Sequence, residues 1–246
     1  MLSDSLLSVR MKHRLGALVI DVTYESVAPW TVLFGPSGSG KTSVLRAIAG
    51  FIRPNEGRVE INGTVIFDSS IKKSLPAYQR PVRGASQSAK LFPNYTVRDN
   101  VLYGCGRPLA ADVRDIADQA MTAFHVDHLS HKRPQDLSGG EAQRVAVCRA
   151  LVSASTFNGP GSPLLLLDEP LSGLDITTRD QVTTELIQWT QKWKIPVLSV
   201  THNIGEAFRL DAYIVKMASG KVVEQGAARD VLKMERDRLL NQLEKN

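Results

Sequence analysis

The stretch Thr31-Val32-Leu33-Phe34-Gly35-Pro36-Ser37-Gly38-Ser39-Gly40-Lys41-Thr42 constrains the fold of this chain more than any other. Its first four residues read as a short buried strand, and Ser43-Val44-Leu45-Arg46-Ala47-Ile48-Ala49-Gly50 beyond it reads as a helix closed by glycine. Between them, Gly35 to Thr42 follows the pattern G-x-x-x-x-G-K-[ST]. That pattern lets successive backbone N–H groups turn around a polyphosphate, sends a lysine to the outer phosphates and offers a hydroxyl to Mg²⁺. A strand leading through such a loop into a helix places the phosphates at a helix N-terminus, where the backbone favours negative charge.

A chain of 246 residues can hold one large domain with an inserted lobe. The charged fraction of 22% and hydrophobic fraction of 43% argue against a disordered or membrane-spanning chain. Apolar runs such as Leu164–Leu167 stop far short of the roughly 20 residues a membrane helix needs. Met1-Leu2-Ser3-Asp4-Ser5-Leu6-Leu7 has neither a basic leader nor a sustained apolar stretch, so a cytosolic chain is expected. Cys105 and Cys148 are read as reduced thiols, Cys148 in a helix core. The net charge of +5 comes without a dense Lys/Arg block, which fits a mildly basic surface, and no nucleic-acid partner is expected.

Alternation at Leu7, Val9, Met11 and again at Leu18, Ile20, Val22, Tyr24 predicts two half-buried antiparallel strands broken at Leu15-Gly16. Asn62-Gly63 between Val59–Ile61 and Thr64–Phe67 predicts a hairpin, hence an antiparallel β layer. Ile71 to Arg83, polar and broken by Pro76 and Pro81, reads as surface loop. Thr96 with Asp99 marks a helix start, and Asp112 to Leu129 is helical in pattern. Ser138 and Glu141 stand in capping-box relation, so the next helix is expected to begin at Gly139-Gly140 with its N–H groups free and attractive to anions. Ser155 to Pro163 is a linker. Leu164–Leu167 is a buried strand that delivers Asp168 and Glu169 to a cleft, Ile176 to Trp193 a helix, and Pro196–Val200 a strand ending in Thr201-His202. Tyr213–Val215 and Lys221–Glu224 form a hairpin around Ser219-Gly220, and Ala227 to Asn246 reads as a charged terminal helix. The remaining histidines, His13, His125, His128 and His131, are read as surface or packing residues.

The phosphate loop alone would suit many kinases and GTPases. Together with Leu137-Ser-Gly-Gly-Glu-Ala-Gln-Arg144, Leu164-Leu-Leu-Leu-Asp-Glu-Pro170, Ser172-Gly-Leu-Asp175 and Thr201-His202, however, it resembles the ATP-binding-cassette ATPases over about residues 6 to 226. The resemblance implies a P-loop α/β fold with a mixed parallel core sheet, an antiparallel β layer and a helical signature subdomain. That subdomain would span about 88–153 within an ATPase domain of 1–226, with 227–246 a helical tail. It also implies two copies of the chain facing head to tail, each closing its loop over ATP and Mg²⁺ against the other's signature. In that arrangement Gly35, Pro36, Ser37, Gly38, Ser39, Gly40, Lys41 and Thr42 hold the phosphates, and Thr42, Gln87 and Asp168 surround Mg²⁺. Ser138, Gly139, Gly140 and Glu141 come from the partner, and Asp175 couples the two sites. Glu169 polarises the attacking water, while His202 keeps the γ-phosphate and water in line. Two departures stand out: Gly84-Ala85-Ser86 replaces the family's hydrophobic, aromatic run before Gln87, and Leu15 stands where an aromatic often stacks on adenine.

Leu91 to Gly104 looks like the corresponding segment of bacterial importer ATPases, most like those of molybdate importers, which also carry leucine at the adenine position. The resemblance implies a cytoplasmic subunit at the inner face of the membrane that drives integral permease subunits and, through them, works with a periplasmic or extracellular solute-binding protein. Leu91, Phe92 and Tyr95 suit a helix-in-groove contact with the permease. Sulfate, phosphate, iron and polyamine importers share nearly all the motifs. Molybdate importer ATPases commonly carry a further C-terminal β-domain, and this sequence stops soon after the ATPase core. A soluble cassette ATPase acting on DNA or ribosomes would normally show a long coiled-coil insertion or a second cassette.

Overall fold

The structure is a computed structural model and describes residues 5–106, 109, 111–159 and 163–243. Expectations for the extreme termini and for 160–162 lie outside the described residues. The chain forms two compact units, residues 1–80 with 198–246 and residues 81–197.

In the first unit, β1 (Leu7–Leu15) and β2 (Leu18–Ser26) pair antiparallel, Val9 opposite Tyr24 and Met11 opposite Val22. That register puts the apolar set of both strands on one buried face, as the alternation predicts. β3 (Trp30–Phe34) is buried along its whole length and leads into α1 (Lys41–Ala49). Next come β4 (Glu56–Ile61) and β5 (Thr64–Asp68), antiparallel about Asn62 and Gly63 with φ of 46° and 76°, a turn whose twist suits a hairpin. A short β6 (Lys73–Ser74) adds to β5.

The reading of Ile71 to Arg83 as surface loop is corrected by β6, by a 3₁₀ turn at Ala77–Gln79 and above all by Arg80, which is only 2% exposed. Its Nη1 donates to the carbonyls of Ala47 (2.7 Å) and Ile48 (2.8 Å), and its Nε to that of Leu75 (2.8 Å). The last carbonyls of a helix lack intrahelical donors and carry its negative dipole end, so a guanidinium there satisfies both needs. Among the described residues Arg80 donates only to main-chain oxygens, and burial pushes its pKa down. Arg80→Met is expected to lower stability by about 2 kcal/mol in denaturant unfolding, with Arg80→Lys restoring only part because an ammonium lacks the planar fork.

In the second unit β7 (Val82–Ala85) runs parallel to β8 (Leu164–Asp168). Between them lie α2 (Val97–Leu102), α3 (Ala111–Ala123) and α4 (Gly139–Ser155), and α5 (Ile176–Lys192) follows β8. Thr96 caps α2 by accepting the Asp99 N–H at 3.1 Å, as its sequence predicts. α2 and α3 pack on α4 around buried Val97, Val101, Met121, Phe124, Val145 and Cys148. The helical reading of Asp112 to Leu129 divides at His125, whose φ of 54° ends α3 before a 3₁₀ turn at Asp127–Leu129. Both cysteines are buried thiols, and burial pushes Cys148 far above its usual pKa.

β9 (Val197–Thr201) returns the chain to the first unit, followed by α6 (Ile204–Arg209), β10 (Tyr213–Ala218) and β11 (Lys221–Ala227). The strands of this unit lie in the order β6-β5-β4-β1-β2-β11-β10-β3-β9. β10 is parallel to β3 and antiparallel to β11, and β11 meets β2 at Lys221 opposite Asp21. Parallel core and antiparallel layer are thus one mixed sheet. The expected single terminal helix is two, α7 (Ala228–Val231) and α8 (Lys233–Leu243). The break at Leu232 separates buried Ala228, Val231 and Leu232 from a charged stretch that stays wet. Glu235 of α8 pairs with Lys216 of β10 at 2.8 Å.

Candidate functional site

In the first unit, β3 hands Gly35–Gly40 to the start of α1, with Lys41 and Thr42 its first two residues. Gly40 is the N-cap at φ 100° and brings no side-chain acceptor to the helix start, which leaves that end suited to an external anion. Pro36, Ser37 and Gly38 are exposed, whereas Lys41 is 7% exposed and curls into the loop. Its Nζ donates to the carbonyls of Gly35 and Pro36, both at 2.8 Å, and reaches Ser39 Oγ at 3.5 Å. A Cβ on Gly35 would stand 2.1 Å from the Met217 carbonyl oxygen, so the loop sits directly on β10 and only glycine fits there. Helix start, loop amides, ammonium and the Thr42 hydroxyl together make a donor set that fits a polyphosphate with a hard divalent cation.

His202 follows β9 on a turn held from both sides. Thr201 Oγ1 donates to Glu206 Oε2 (2.8 Å) and accepts the Asn203 N–H (3.1 Å), while Asn203 Oδ1 accepts the Glu206 N–H (3.0 Å) to cap α6. Sequence reasoning missed this bracing, although Asn203 with Glu206 three residues on is a capping signal. His202, Gly35, Pro36, Lys216, Met217 and Glu235 share the lining of a cavity of about 280 Å³, so this unit brings the strand-end histidine and the start of the phosphate loop to one concave surface.

In the second unit, Asp168 ends β8 and Glu169 follows in the left-handed region at φ 47°, just before Pro170. A non-glycine residue held there carries strain of the kind concentrated at functional sites. Gln87 Nε2 donates to Glu169 Oε2 at 3.2 Å, bringing together two residues that the sequence proposes for the site, 82 positions apart in the chain. Ser172 Oγ donates to the Glu169 carbonyl at 2.9 Å and fixes the turn beyond it. Asp175 caps α5 by accepting the Thr178 N–H at 3.0 Å, a bond that holds its carboxyl below the usual range.

Ser138 starts α4 with the predicted capping box. Its N–H donates to Glu141 Oε2 at 2.7 Å, and its Oγ accepts the Glu141 N–H at 3.3 Å. The expectation of free N–H groups is corrected at Glu141, whose amide is used by the box and whose carboxyl is held below its usual pKa by the Ser138 N–H. Gly139 and Gly140, at the first two helical positions, have no intrahelical acceptor by geometry.

The segment before α2 is aromatic and part-exposed. Phe92 stacks 3.9 Å from Tyr103 and 5.6 Å from Tyr95, with the Arg149 guanidinium 5.5 Å over the Phe92 ring. Leu91 and Phe92 are half-buried in the packing of this unit, while Tyr95 and Tyr103 are exposed at 39% and 48%. Leu15, at the end of β1, is also exposed.

With this geometry in view, the chain can be set against known proteins. It is 38% identical over 228 residues to the molybdenum import ATP-binding protein ModC of Mesorhizobium japonicum, covering 92% of this chain and 60% of that protein. It is 39% identical over 218 residues to the protein of the same name from Pasteurella multocida, covering 88% and 59%. The chain therefore spans about 60% of the length of these curated relatives. The fold matches a solved dimeric ATP-binding cassette in a post-hydrolysis state bound to ADP and Pi, at a TM-score of 0.72 and 24% identity over 91% of this chain and 99% of that one. The ABC transporter family model matches residues 26–172, a span that includes the phosphate loop, Gln87, the Ser138 cap and the Asp168-Glu169 strand end. The chain belongs to the ABC transporter family.

Proposed function

We propose that this chain is the ATP-hydrolysing, energy-coupling subunit of an importer, with molybdate or a related oxyanion as the transported solute. The observation that carries the ATPase reading is the Glu169 carboxylate, tethered by Gln87 on a backbone held at φ 47° just after Asp168, in a chain whose other unit holds Lys41 inside the glycine-rich loop. Similarity to the molybdenum import proteins supports the choice of solute.

In this reading Gly35–Thr42 bind the ATP phosphates through loop amides and the Lys41 ammonium. Thr42, Asp168 and Gln87 would hold Mg²⁺, which supplies charge neutralisation on the phosphate oxygens. Glu169 takes a proton from the attacking water, with Gln87 limiting where its carboxylate points. His202, held by the Thr201–Glu206–Asn203 bonds, orients the γ-phosphate and water. Ser138 and the Gly139 and Gly140 amides of a second copy complete the site. Glu141 acts there through the cap it closes, and Asp175 links the two sites across the dimer. The ATPase domain is assigned to 1–226, with the helical subdomain about 88–153, and the tail to 227–246. In this reading the exposed Tyr95 and Tyr103 beside Phe92 offer a membrane permease a hydrophobic contact, and the subunit works at the cytoplasmic face of the membrane. A solute-binding protein acts through that permease.

Among the described residues no helix is long and apolar enough to cross a membrane, so the reading requires a membrane-spanning partner. Co-purification should capture a multi-spanning permease, and in the reconstituted complex molybdate should stimulate phosphate release several-fold. An active complex with ribosomes or DNA and no permease would overturn the importer reading. Stimulation by another solute alone would overturn molybdate.

A further inference from the structure

We propose that Gly220, in the turn between β10 and β11, is a positioning residue for the phosphate loop and sets the direction in which the Gly40 amide faces. The inference rests on the nucleotide reading above. Gly220 N–H donates to the Ser39 carbonyl at 3.1 Å, and the Gly220 carbonyl accepts the Asp21 N–H of β2 at 2.8 Å. The turn therefore bridges β2 and the loop.

A trans peptide is planar, with its C=O and N–H pointing in opposite directions. Holding the Ser39 carbonyl toward Gly220 thus directs the N–H of Gly40, in the same peptide unit, away from Gly220. Glycine peptides rotate more freely than any others, and this loop has Gly38 and Gly40 on either side of Ser39, at φ 78° and 100°. Left to itself such a loop spreads over many peptide orientations, and binding would have to select one of them. A hydrogen bond from outside the loop makes that selection before the ligand arrives, which raises affinity without touching the ligand.

The bridge needs glycine. Gly220 has φ 82°, and a Cβ there would lie 2.1 Å from the Val19 carbonyl oxygen and 3.3 Å from the Ile20 Cα, so the turn can approach β2 this closely only without a side chain. Ser39 is 3% exposed, so water cannot readily replace the Gly220 donor. Lys41 Nζ also reaches Ser39 Oγ, which ties the ammonium to the same residue whose carbonyl the turn holds.

Two versions of the chain test this against the parent, each by MgADP titration and by KM and kcat for ATP. Gly220→Ala crowds the bridge. A backbone ester at Gly220, introduced by semisynthesis, deletes the N–H and adds no side chain, so it decides the matter if Gly220→Ala does not fold. The expected result is MgADP affinity weaker by about tenfold with KM for ATP raised in proportion, the effect of losing one hydrogen bond to a charged ligand, and kcat within about twofold of the parent. A merely structural role would lower the melting temperature and leave affinity and KM unchanged, and that result would overturn the proposal. A parent chain that binds no MgADP would instead overturn the nucleotide reading.

Discussion

Glu169→Gln is expected to slow ATP turnover by about 10²–10⁴-fold while leaving nucleotide affinity within a small factor of the parent. The substitution keeps the shape of the side chain and an oxygen that can accept from Gln87, which stands 3.2 Å from the carboxylate in the parent. It removes the negative charge and, with it, the ability to take a proton from water. The backbone at φ 47° was already adopted by a non-glycine residue of the same size, so no new strain enters at this position. If two copies close over ATP, blocked hydrolysis should make the closed form accumulate. Light scattering in the presence of MgATP should then report a dimer that reverts on nucleotide removal. Phosphate release at the parent rate would show that another group is the base. Slow turnover with equally weakened binding would show that Glu169 shapes the binding site instead.

What made the phosphate loop legible is that its chemistry dictates residue type and spacing at once. Backbone amides can converge on an anion only where glycines permit the turns, and Lys41-Thr42 must begin the helix. The Asn62-Gly63 hairpin, the Thr96 cap and the Ser138–Glu141 box were legible for the same reason, since each is a short-range bond between residues at a set separation. Arg80 was not. Hydropathy places arginine in water, and the carbonyls that receive it belong to a helix more than thirty residues earlier. The contact of Gly220 with Ser39 joins two backbones, so neither side chain advertises it. The capping box was visible in the sequence, and since such a box uses the N3 amide, the expectation that every N–H at that helix start stays open ran against the box itself. The Gln87–Glu169 bond lies between these cases: each residue was singled out by its own motif, and only the fold shows that they meet.

The same division between local pattern and tertiary contact bears on Lys41, whose side chain has two sets of partners to choose from. As the chain stands, Nζ donates to the Gly35 and Pro36 carbonyls at 2.8 Å, so under the proposed function ATP competes with the loop's own oxygens for the ammonium. Lys41→Ala removes donors that would each contribute about 1.5–3 kcal/mol as charge-assisted bonds to phosphate. What remains is the helix N-terminus, worth about 0.3–2 kcal/mol toward an anion, together with the loop amides. The lost term is the larger, so MgATP affinity should fall by about 10²-fold or more. Stability should change little, because losing the ammonium's bonds to the two carbonyls is offset by relief from burying a charge that is only 7% exposed. Equilibrium titration with MgATP, beside denaturant unfolding of the same preparation, separates the two effects. Undiminished affinity in a folded Lys41→Ala protein would mean that the ammonium stays on Gly35 and Pro36 when nucleotide binds, leaving the amides oriented by the neighbouring β10–β11 turn to do most of the binding.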